Sequence, residues 1–356
     1  MIVVDEGELA ELRSRLRRAR WPERWPLAGW DAGTDPDVLR PLVDYWASGY
    51  DWRAQERAIN ALPFHTATID GTPVVYLRFD GAGGGLPIVL TNGWPSTFLE
   101  LLELARRLDN FTVVIPLLPG FPLAPQRPSL TGLQTHELWH RLMHDELGFE
   151  RYAAHGSDLG AGTTARLAEA HPESVIGIHV TSVAAPPDAT DLRPEEQQYV
   201  EAVAAWSTTE GAYQHQQSTR PLTLGYGLTD SPVGLLAWIL EKYRAWSDDP
   251  ASFSDDFLLT QASLYWFTGT ISTSFRPYYE YAAGLTRRVE RVDVPTALAV
   301  FPGDLAQPPR AWAERTYNVT RYTTMPRGGH FAAHEEPDLL AADLIAFFTP
   351  DRSGTR

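Results

Sequence analysis

Three residues suited to nucleophilic catalysis occur along this chain in the order Asp158, Asp304 and His330. Asp158 lies between Gly156 and Gly160, after a short apolar segment and before a predicted helix. Small residues on both sides are typical of the tight strand-to-helix turn that exposes a nucleophile. Considered alone, Asp158 fits equally well as the residue that caps the following helix. Its meaning therefore depends on the other two residues.

Those two residues occur where an acid and a base would be expected. Asp304 follows the predicted strand at 296–301, and His330 lies in a glycine-rich segment before the last predicted helix. A carboxylate can hold an imidazole in one tautomer, and the imidazole can take a proton from water. The order nucleophile, acid, base therefore indicates a triad. Ser157 is one place outside the glycine frame, so Asp158 is the predicted nucleophile.

An aspartate nucleophile limits the reactions that the enzyme can perform. A carboxylate is already an anion, and it suits attack on a saturated carbon to give an ester of the enzyme. Hydrolysis of that ester needs donors for the oxyanion that forms on the aspartate itself. We expect the backbone N–H of Leu159, directly after the nucleophile, to be one donor. The N–H of Trp94, in the segment Asn92-Gly93-Trp94-Pro95, is the expected second donor.

The leaving group decides between two reactions. A departing halide needs N–H donors, whereas an opening epoxide needs an acid that protonates the alkoxide. Residues 186–285 are acidic, aromatic and helical in pattern, and they supply many tyrosine hydroxyls. Aromatic residues in such a segment also serve as packing residues. The residues alone leave both reactions open.

A second motif suggests a different chemistry. His136-Glu137-Leu138-Trp139-His140 matches the zinc-hydrolase pattern, and His144 follows one turn later. The predicted helix precedes the strand that leads to Asp158. We therefore expect it to form a solvated helix face, away from the sheet edge where ligands bind. No metal or other cofactor is predicted.

The surrounding pattern shows how these residues are positioned. Short apolar segments alternate with helical ones, which predicts a mostly parallel sheet of βαβ units. An Asp70-Gly71 hairpin precedes them. The predicted strands are 87–90, 112–117, 151–154, 174–180, 296–301 and 319–324. The predicted helices lie near 8–20, 36–49, 97–108, 134–147, 160–171 and 337–348.

The chain divides into three predicted parts. Residues 1–65 are rich in Trp and Pro, lack a core of their own and are expected to wrap another part of the chain. Residues 66–185 and 286–356 form the predicted α/β core. Residues 186–285 interrupt the strand pattern and are predicted to form an inserted helical lid.

Composition excludes several classes of function. The 356 residues include no Cys and a single lysine, Lys242, which excludes disulfides, thiol nucleophiles and a Walker A motif. The net charge of −15 disfavours nucleic acids and anionic membranes as partners. No signal peptide or apolar run of about 18 residues is apparent. We therefore expect a soluble cytoplasmic protein.

Several segments together resemble the microsomal-type epoxide hydrolases of the α/β-hydrolase superfamily. The resemblance extends over nearly the whole chain and implies the α/β-hydrolase fold. The similar segments are Arg20-Trp21-Pro22, Tyr50-Asp51-Trp52-Arg53, Asn92-Gly93-Trp94-Pro95, Pro116-Leu117-Leu118-Pro119-Gly120, Asp230-Ser231-Pro232-Val233-Gly234-Leu235, Tyr265-Trp266-Phe267-Thr268-Gly269-Thr270 and Gly328-Gly329-His330-Phe331-Ala332-Ala333.

The resemblance also implies roles for single residues. Asp158 matches the nucleophile, His330 the base and Asp304 its acid partner. Two tyrosines that protonate the epoxide are matched by Tyr213 and Tyr278, with the adjacent Tyr279 as the alternative register for the second. The implied substrates are an epoxide and water.

Three positions depart from the family pattern. Asn92 replaces a histidine of the His-Gly-x-Pro motif, Leu159 replaces a common tryptophan, and Asp304 stands where many relatives have glutamate. The apolar N-terminal helix of membrane-anchored members is also missing, which implies a soluble bacterial relative. Some such relatives open epoxides in natural-product biosynthesis, including enediyne pathways. A homodimer is one expected assembly.

Two alternative functions stay open at this point. A haloalkane dehalogenase shares the aspartate nucleophile, although Leu159 removes an indole that would bind halide. A non-catalytic binding protein with a hydrolase fold is suggested by Asn92 and Leu159.

Overall fold

The fold is taken from a computed structural model that describes residues 2–27, 29–81 and 83–349. The first residue and residues 350–356 of the predicted division therefore lie outside the described residues. Within the described ranges, no helix is both long enough and apolar enough to cross a bilayer.

One sheet organises the described part of the chain. Its eight strands are β1 (Phe64–Ile69), β2 (Thr72–Phe79), β3 (Leu86–Thr91), β4 (Phe111–Pro116), β5 (Tyr152–Gly156), β6 (Val175–Val180), β7 (Val292–Val300) and β8 (Tyr317–Thr324). Their order is β1-β2-β4-β3-β5-β6-β7-β8. β2 is antiparallel to β1 and β4, and the other neighbouring pairs are parallel. The predicted, mostly parallel sheet is confirmed.

The first two strands form the predicted hairpin. Asp70 and Gly71 have φ values of 47° and 75°. Positive φ at both central residues is the requirement of a type I′ turn, whose twist matches that of the two strands. Both strands are longer than the apolar segments indicated, because polar residues such as Thr66 and Arg78 also pair across the sheet.

Three helices precede the sheet in the described residues: α1 (Glu6–Arg17), α2 (Pro36–Ser48) and α3 (Trp52–Asn60). The first begins earlier than predicted, because Asp5 and Glu8 form a capping box at its start. Asp35 caps α2 by accepting a hydrogen bond from the Asp37 N–H at 2.8 Å.

Helices also follow the parallel strands, as the alternation predicts. They are α4 (Leu102–Arg106), α5 (Thr135–Arg141) and α6 (Leu159–Ala170). A 3-10 turn at Phe98–Leu101 precedes α4, and a π-helical turn at Leu142–Glu146 follows α5. The helices predicted at 97–108 and 134–147 are therefore not continuous. β4 and β5 are buried along their whole length, as expected where helices cover both faces of a sheet.

A helical segment separates β6 from β7. Its helices are α7 (Pro194–Thr209), α8 (Ala212–Thr219), α9 (Pro221–Asp230), α10 (Pro232–Trp246), α11 (Asp255–Thr268), α12 (Ile271–Ser274) and α13 (Arg276–Ala282). The chain then adds α14 (Arg310–Glu314), α15 (Ala332–Glu335) and α16 (Pro337–Phe348). The bounds of α16 agree with the predicted final helix.

Candidate active site

Asp158 lies in the turn between β5 and α6, and its backbone is strained. Its φ of 51° is uncommon for a residue with a side chain. The flanking glycines are required by close backbone contacts. A Cβ on Gly160 would lie 2.0 Å from the carbonyl oxygen of Thr91, and a Cβ on Gly156 would lie 2.3 Å from that of Gly160. The turn therefore excludes larger residues and holds Asp158 at the carboxyl end of the strand.

The imidazole of His330 lies between two carboxylates. Its Nδ1 is 2.6 Å from Oδ1 of Asp304, and its Nε2 is 3.5 Å from Oδ2 of Asp158. A β-bridge between Gly303 and Gly329 joins the two loops that carry Asp304 and His330. The structure thus brings the three residues of the predicted triad together, with His330 between the two aspartates.

The charge state of His330 follows from this position. Burial disfavours the charged ring, and the side chain is only 6% exposed. The two carboxylates nevertheless outweigh burial and raise the pKa of His330 well above its usual value, with Asp304 as the stronger influence. The ring therefore binds its proton more tightly than a free imidazole does.

The loop after β3 supplies a hydrogen bond to Asp158. The backbone N–H of Trp94 donates to Oδ1 of Asp158 at 2.9 Å. The Asn92 side chain donates to the carbonyls of Gly93 and Ser96 at 2.9 and 3.1 Å, so it stabilises the loop.

The two expected oxyanion donors differ in whether their N–H groups already have an acceptor. Leu159 is the first residue of α6, and the first amides of a helix have no acceptor within the helix. Its N–H is therefore available beside Asp158. The N–H of Trp94 already points at that carboxylate.

Tyr213 and Tyr278 reach the same place from α8 and α13. Their ring centroids are 6.1 Å apart, and Tyr213 stacks on Trp94 at 5.4 Å. Burial, reinforced by Asp158, raises the pKa of both hydroxyls above the usual value, so both stay protonated. The Tyr278 hydroxyl has no hydrogen-bond partner among the described residues. Tyr279 is 39% exposed, so the structure places Tyr278 in the site.

A cavity of about 400 Å³ lies between Asp158 and the two tyrosines. Asp158, Leu159, Tyr213 and Tyr278 line it, together with the indole of Trp206. Its size falls in the range of small-molecule sites, and its wall combines aromatic surface with a few polar groups.

The zinc-like motif has a different location from the one predicted. His136 lines the same cavity as Asp158, so the expectation that this helix lies away from the ligand-binding edge is wrong. It is wrong because α5 packs against α6, the helix that begins directly after Asp158. His140 stacks on His171 at 3.5 Å and contacts the Tyr152 hydroxyl at 3.0 Å. In the described residues, no three acidic or histidine side chains converge as a metal site would require.

One buried carboxyl near the site had no signal in the sequence. Glu100 is 2% exposed and accepts a hydrogen bond from the hydroxyl of Ser96, the residue directly after the Asn92–Pro95 segment. Burial raises the pKa of Glu100 to about 7. An isolated glutamate in an apolar helical segment is ordinarily read as a surface residue, so only the structure reveals it.

The sheet order, the strained turn after β5 and the position of His330 after β8 define the α/β-hydrolase class of protein. Residues 88–343 match the family model "Alpha/beta hydrolase family", and residues 1–101 match "Epoxide hydrolase N terminus".

Known proteins with similar sequences and structures narrow the class. A Stigmatella aurantiaca protein whose name places it with the epoxide hydrolases is 39% identical, over 98% of this chain and 83% of its own. The crystal structure of juvenile hormone epoxide hydrolase from Bombyx mori has a TM-score of 0.86 at 28% identity, covering 97% of this chain and 92% of that one. Aspergillus niger epoxide hydrolase has a TM-score of 0.85 at 27% identity, covering 98% and 94%.

The chain belongs to the epoxide hydrolase family. The predicted fold class, family and class of enzyme are therefore confirmed.

Proposed function

We propose that this enzyme converts an epoxide to a vicinal diol through an ester formed on Asp158. The observation that carries the proposal is the surroundings of one carboxylate. Asp158 accepts a hydrogen bond from Trp94, lies 3.5 Å from Nε2 of His330, and shares its cavity with Tyr213 and Tyr278.

In the first step, a carboxylate oxygen of Asp158 attacks an epoxide carbon, and the bond from that carbon to the ring oxygen breaks. A hydroxyl of Tyr213 or Tyr278 gives its proton to the departing alkoxide. Because both phenols are protonated beside the ionised carboxylate, they are able to act as acids at neutral pH. The product of this step is a hydroxyalkyl ester.

Formation of the ester also prepares His330. It removes one of the two negative charges that raise the pKa of the ring, so that pKa falls. The ring gives up its proton, and through solvent this restores the proton that the tyrosine has lost. His330 is then neutral, and Asp304 holds it through Nδ1.

In the second step, His330 takes a proton from water, and the water oxygen attacks the carbonyl carbon of Asp158. The backbone N–H groups of Trp94 and Leu159 stabilise the oxyanion. Collapse of this intermediate releases the diol, and the proton left on Asp158 passes to the departing oxygen. Asp158 is again ionised and His330 again protonated, as at the start.

We also propose a role for each of the three predicted parts of the chain. Residues 186–285 act as a lid, because they carry both tyrosines to the cavity. Residues 66–185 and 286–356 act as the core, because they carry the triad. The N-terminal residues 1–65 act as the wrapping part. A role in natural-product biosynthesis stays a prediction.

A single turnover in ¹⁸O-enriched water tests the ester. With enzyme in excess over an aryl epoxide, the first diol takes its new oxygen from Asp158, and the label enters that residue. Mass spectrometry of the peptides separates Asp158 from Asp304, which serves as the internal control.

Two outcomes would contradict the proposal. Label that appears in the diol during the first turnover would show direct attack by water. Halide release from a chloroalkane at a rate similar to diol formation would instead favour the dehalogenase alternative.

A further inference from the structure

Arg166 lines the catalytic cavity without an anionic partner. It lies on α6. Among the described residues, no carboxylate lies within 4.0 Å of its guanidinium, and no acceptor forms a hydrogen bond with it. Helical side chains lean toward the start of their helix. The guanidinium accordingly lies over Gly162, where a Cβ would be 3.5 Å from Nη1. It therefore faces the same end of α6 as Asp158.

The other two arginines of the cavity wall are already paired. Arg276 contacts Glu280 at 2.5 Å and also donates to the Arg127 carbonyl at 2.6 Å. Arg127 forms an ion pair with Glu280. The wall thus holds three arginines against two carboxylates, Asp158 and Glu280. In a protein with a net charge of −15, this cavity has a local excess of positive charge.

Groups near Arg166 do not neutralise it. Glu169 is the nearest acidic influence along the helix, but its Oε1 accepts from the N–H groups of Glu290 and Arg291 at 2.6 and 3.0 Å. His136 is uncharged, because burial and then Arg166 lower its pKa to about 4. Its Nδ1 is buried and has no partner among the described residues. The Arg166 side chain is half-buried, and burial lowers the pKa of its guanidinium. An anion bound in the cavity would offset the hydration that this charge has lost.

We propose that the substrate is an epoxide that carries a carboxylate, which Arg166 binds while the epoxide carbon lies at Asp158. The planar guanidinium matches a carboxylate with two parallel hydrogen bonds. Asp158 and Gly162 are four residues apart, which is about 6 Å along a helix axis. A short or rigid carboxylate-bearing epoxide therefore spans the two groups. This inference rests on the proposed function.

A matched pair of substrates tests the inference. 4-(Oxiran-2-yl)benzoate and its primary amide have nearly the same shape, and only the first is an anion. For the wild-type enzyme we expect kcat/KM to be about ten- to a hundredfold higher for the acid, the usual effect of hydrogen bonds to a charged group. In Arg166→Gln this preference falls to near one, mainly through a higher KM for the acid.

Two further variants separate recognition from folding. Arg166→Lys keeps the charge and is expected to keep part of the preference for the acid. Arg57→Gln, at an exposed arginine of α3, is the control and keeps the whole preference. Thermal unfolding of each variant identifies any that fails to fold. If Arg166→Gln does not fold, the inference is judged from the ratio of kcat/KM for acid over amide in the wild type and in Arg166→Lys.

The outcomes distinguish this inference from the proposed function. Equal kcat/KM for acid and amide in the wild type, or a preference unchanged in Arg166→Gln, would overturn it. So would hydrolysis of styrene oxide without hydrolysis of the acid. If no epoxide is hydrolysed, the proposed function fails instead. In that case, calorimetry measures the affinity of the enzyme for the acid diol and for the amide diol. Equal affinities overturn the role of Arg166.

Discussion

At the scale of single residues, the groups around Asp158 are the ones that its carboxylate needs in order to react. Its carboxylate accepts the N–H of Trp94 and faces the buried ring of His330. Burial is the main cause that keeps the phenols of Tyr213 and Tyr278 protonated, and the charge of Asp158 adds to it. The same charge, after that of Asp304, helps to raise the pKa of His330. In the proposed mechanism, loss of this charge on ester formation is the event that turns His330 into a base.

We expect Tyr213→Phe and Tyr278→Phe each to slow the alkylation step. Loss of a general acid lowers a rate by about 10²- to 10⁴-fold, and the smaller figure applies because the second hydroxyl is retained. Rapid-quench measurement of ester formation under single-turnover conditions gives this rate. Tyr279→Phe is the matched control, since its side chain is 39% exposed. Alkylation at wild-type rates in both cavity variants would exclude these hydroxyls as the acids.

At the scale of secondary-structure elements, β3, β5 and α6 approach one another closely. Gly160 in the first turn of α6 packs on the backbone of Thr91 at the end of β3. This contact brings the start of α6 to the loop that carries Trp94, and it holds that N–H 2.9 Å from Asp158. The glycine frame is therefore a requirement of packing between elements as well as of the turn.

Gly160→Ala is expected to destabilise the protein by about 1–3 kcal/mol or more, because the new methyl group would overlap the Thr91 backbone. Gly227→Ala is the matched control. Gly227 is also helical, and no atom lies within 4 Å of its would-be Cβ. Alanine there should stabilise the helix by about 0.5–1 kcal/mol. Denaturant unfolding midpoints compare the two, and similar shifts in both would contradict the close contact.

At the scale of the whole molecule, the N-terminal helices contact the inserted helical segment. Trp46 on α2 donates to the Ser263 hydroxyl of α11 at 3.0 Å, and Tyr50 contacts the Thr260 hydroxyl at 3.0 Å. Arg15 on α1 pairs with Asp230 of α9 at 2.8 Å, although this exposed pair contributes little. The N-terminal residues thus contact α9 and α11 of the inserted segment, whose helices α8 and α13 carry the cavity tyrosines. Cytoplasmic location and a homodimer stay predictions.

Trp46→Ala should lower the free energy of unfolding by about 3–5 kcal/mol, because it leaves a cavity between α2 and α11 and removes the donor to Ser263. Trp25→Ala is the control, since Trp25 is 69% exposed and its loss should change stability by less than about 0.5 kcal/mol. Urea denaturation followed by circular dichroism measures both. Equal effects would show that the N-terminal helices do not support the fold through this contact.

The sequence by itself determined the order of the candidate catalytic residues and the succession of strands and helices along the chain. Glycines around Asp158, an acidic residue after a late strand and a histidine before the last helix are local patterns. They could be interpreted because tight turns and alternating βα units impose requirements on nearby residues. The helices at 97–108 and 134–147 were predicted as continuous, since local apolar spacing does not distinguish an α-helix from a 3-10 or π-helical turn.

Only the tertiary structure decided which side chains share the cavity. Tyr278 and Tyr279 are neighbours on one helix, and packing alone turns the first inward and leaves the second exposed. The burial of Glu100 and the unpaired charge of Arg166 depend on residues that are distant in the chain. Such properties arise from contacts between elements, and no local spacing encodes them.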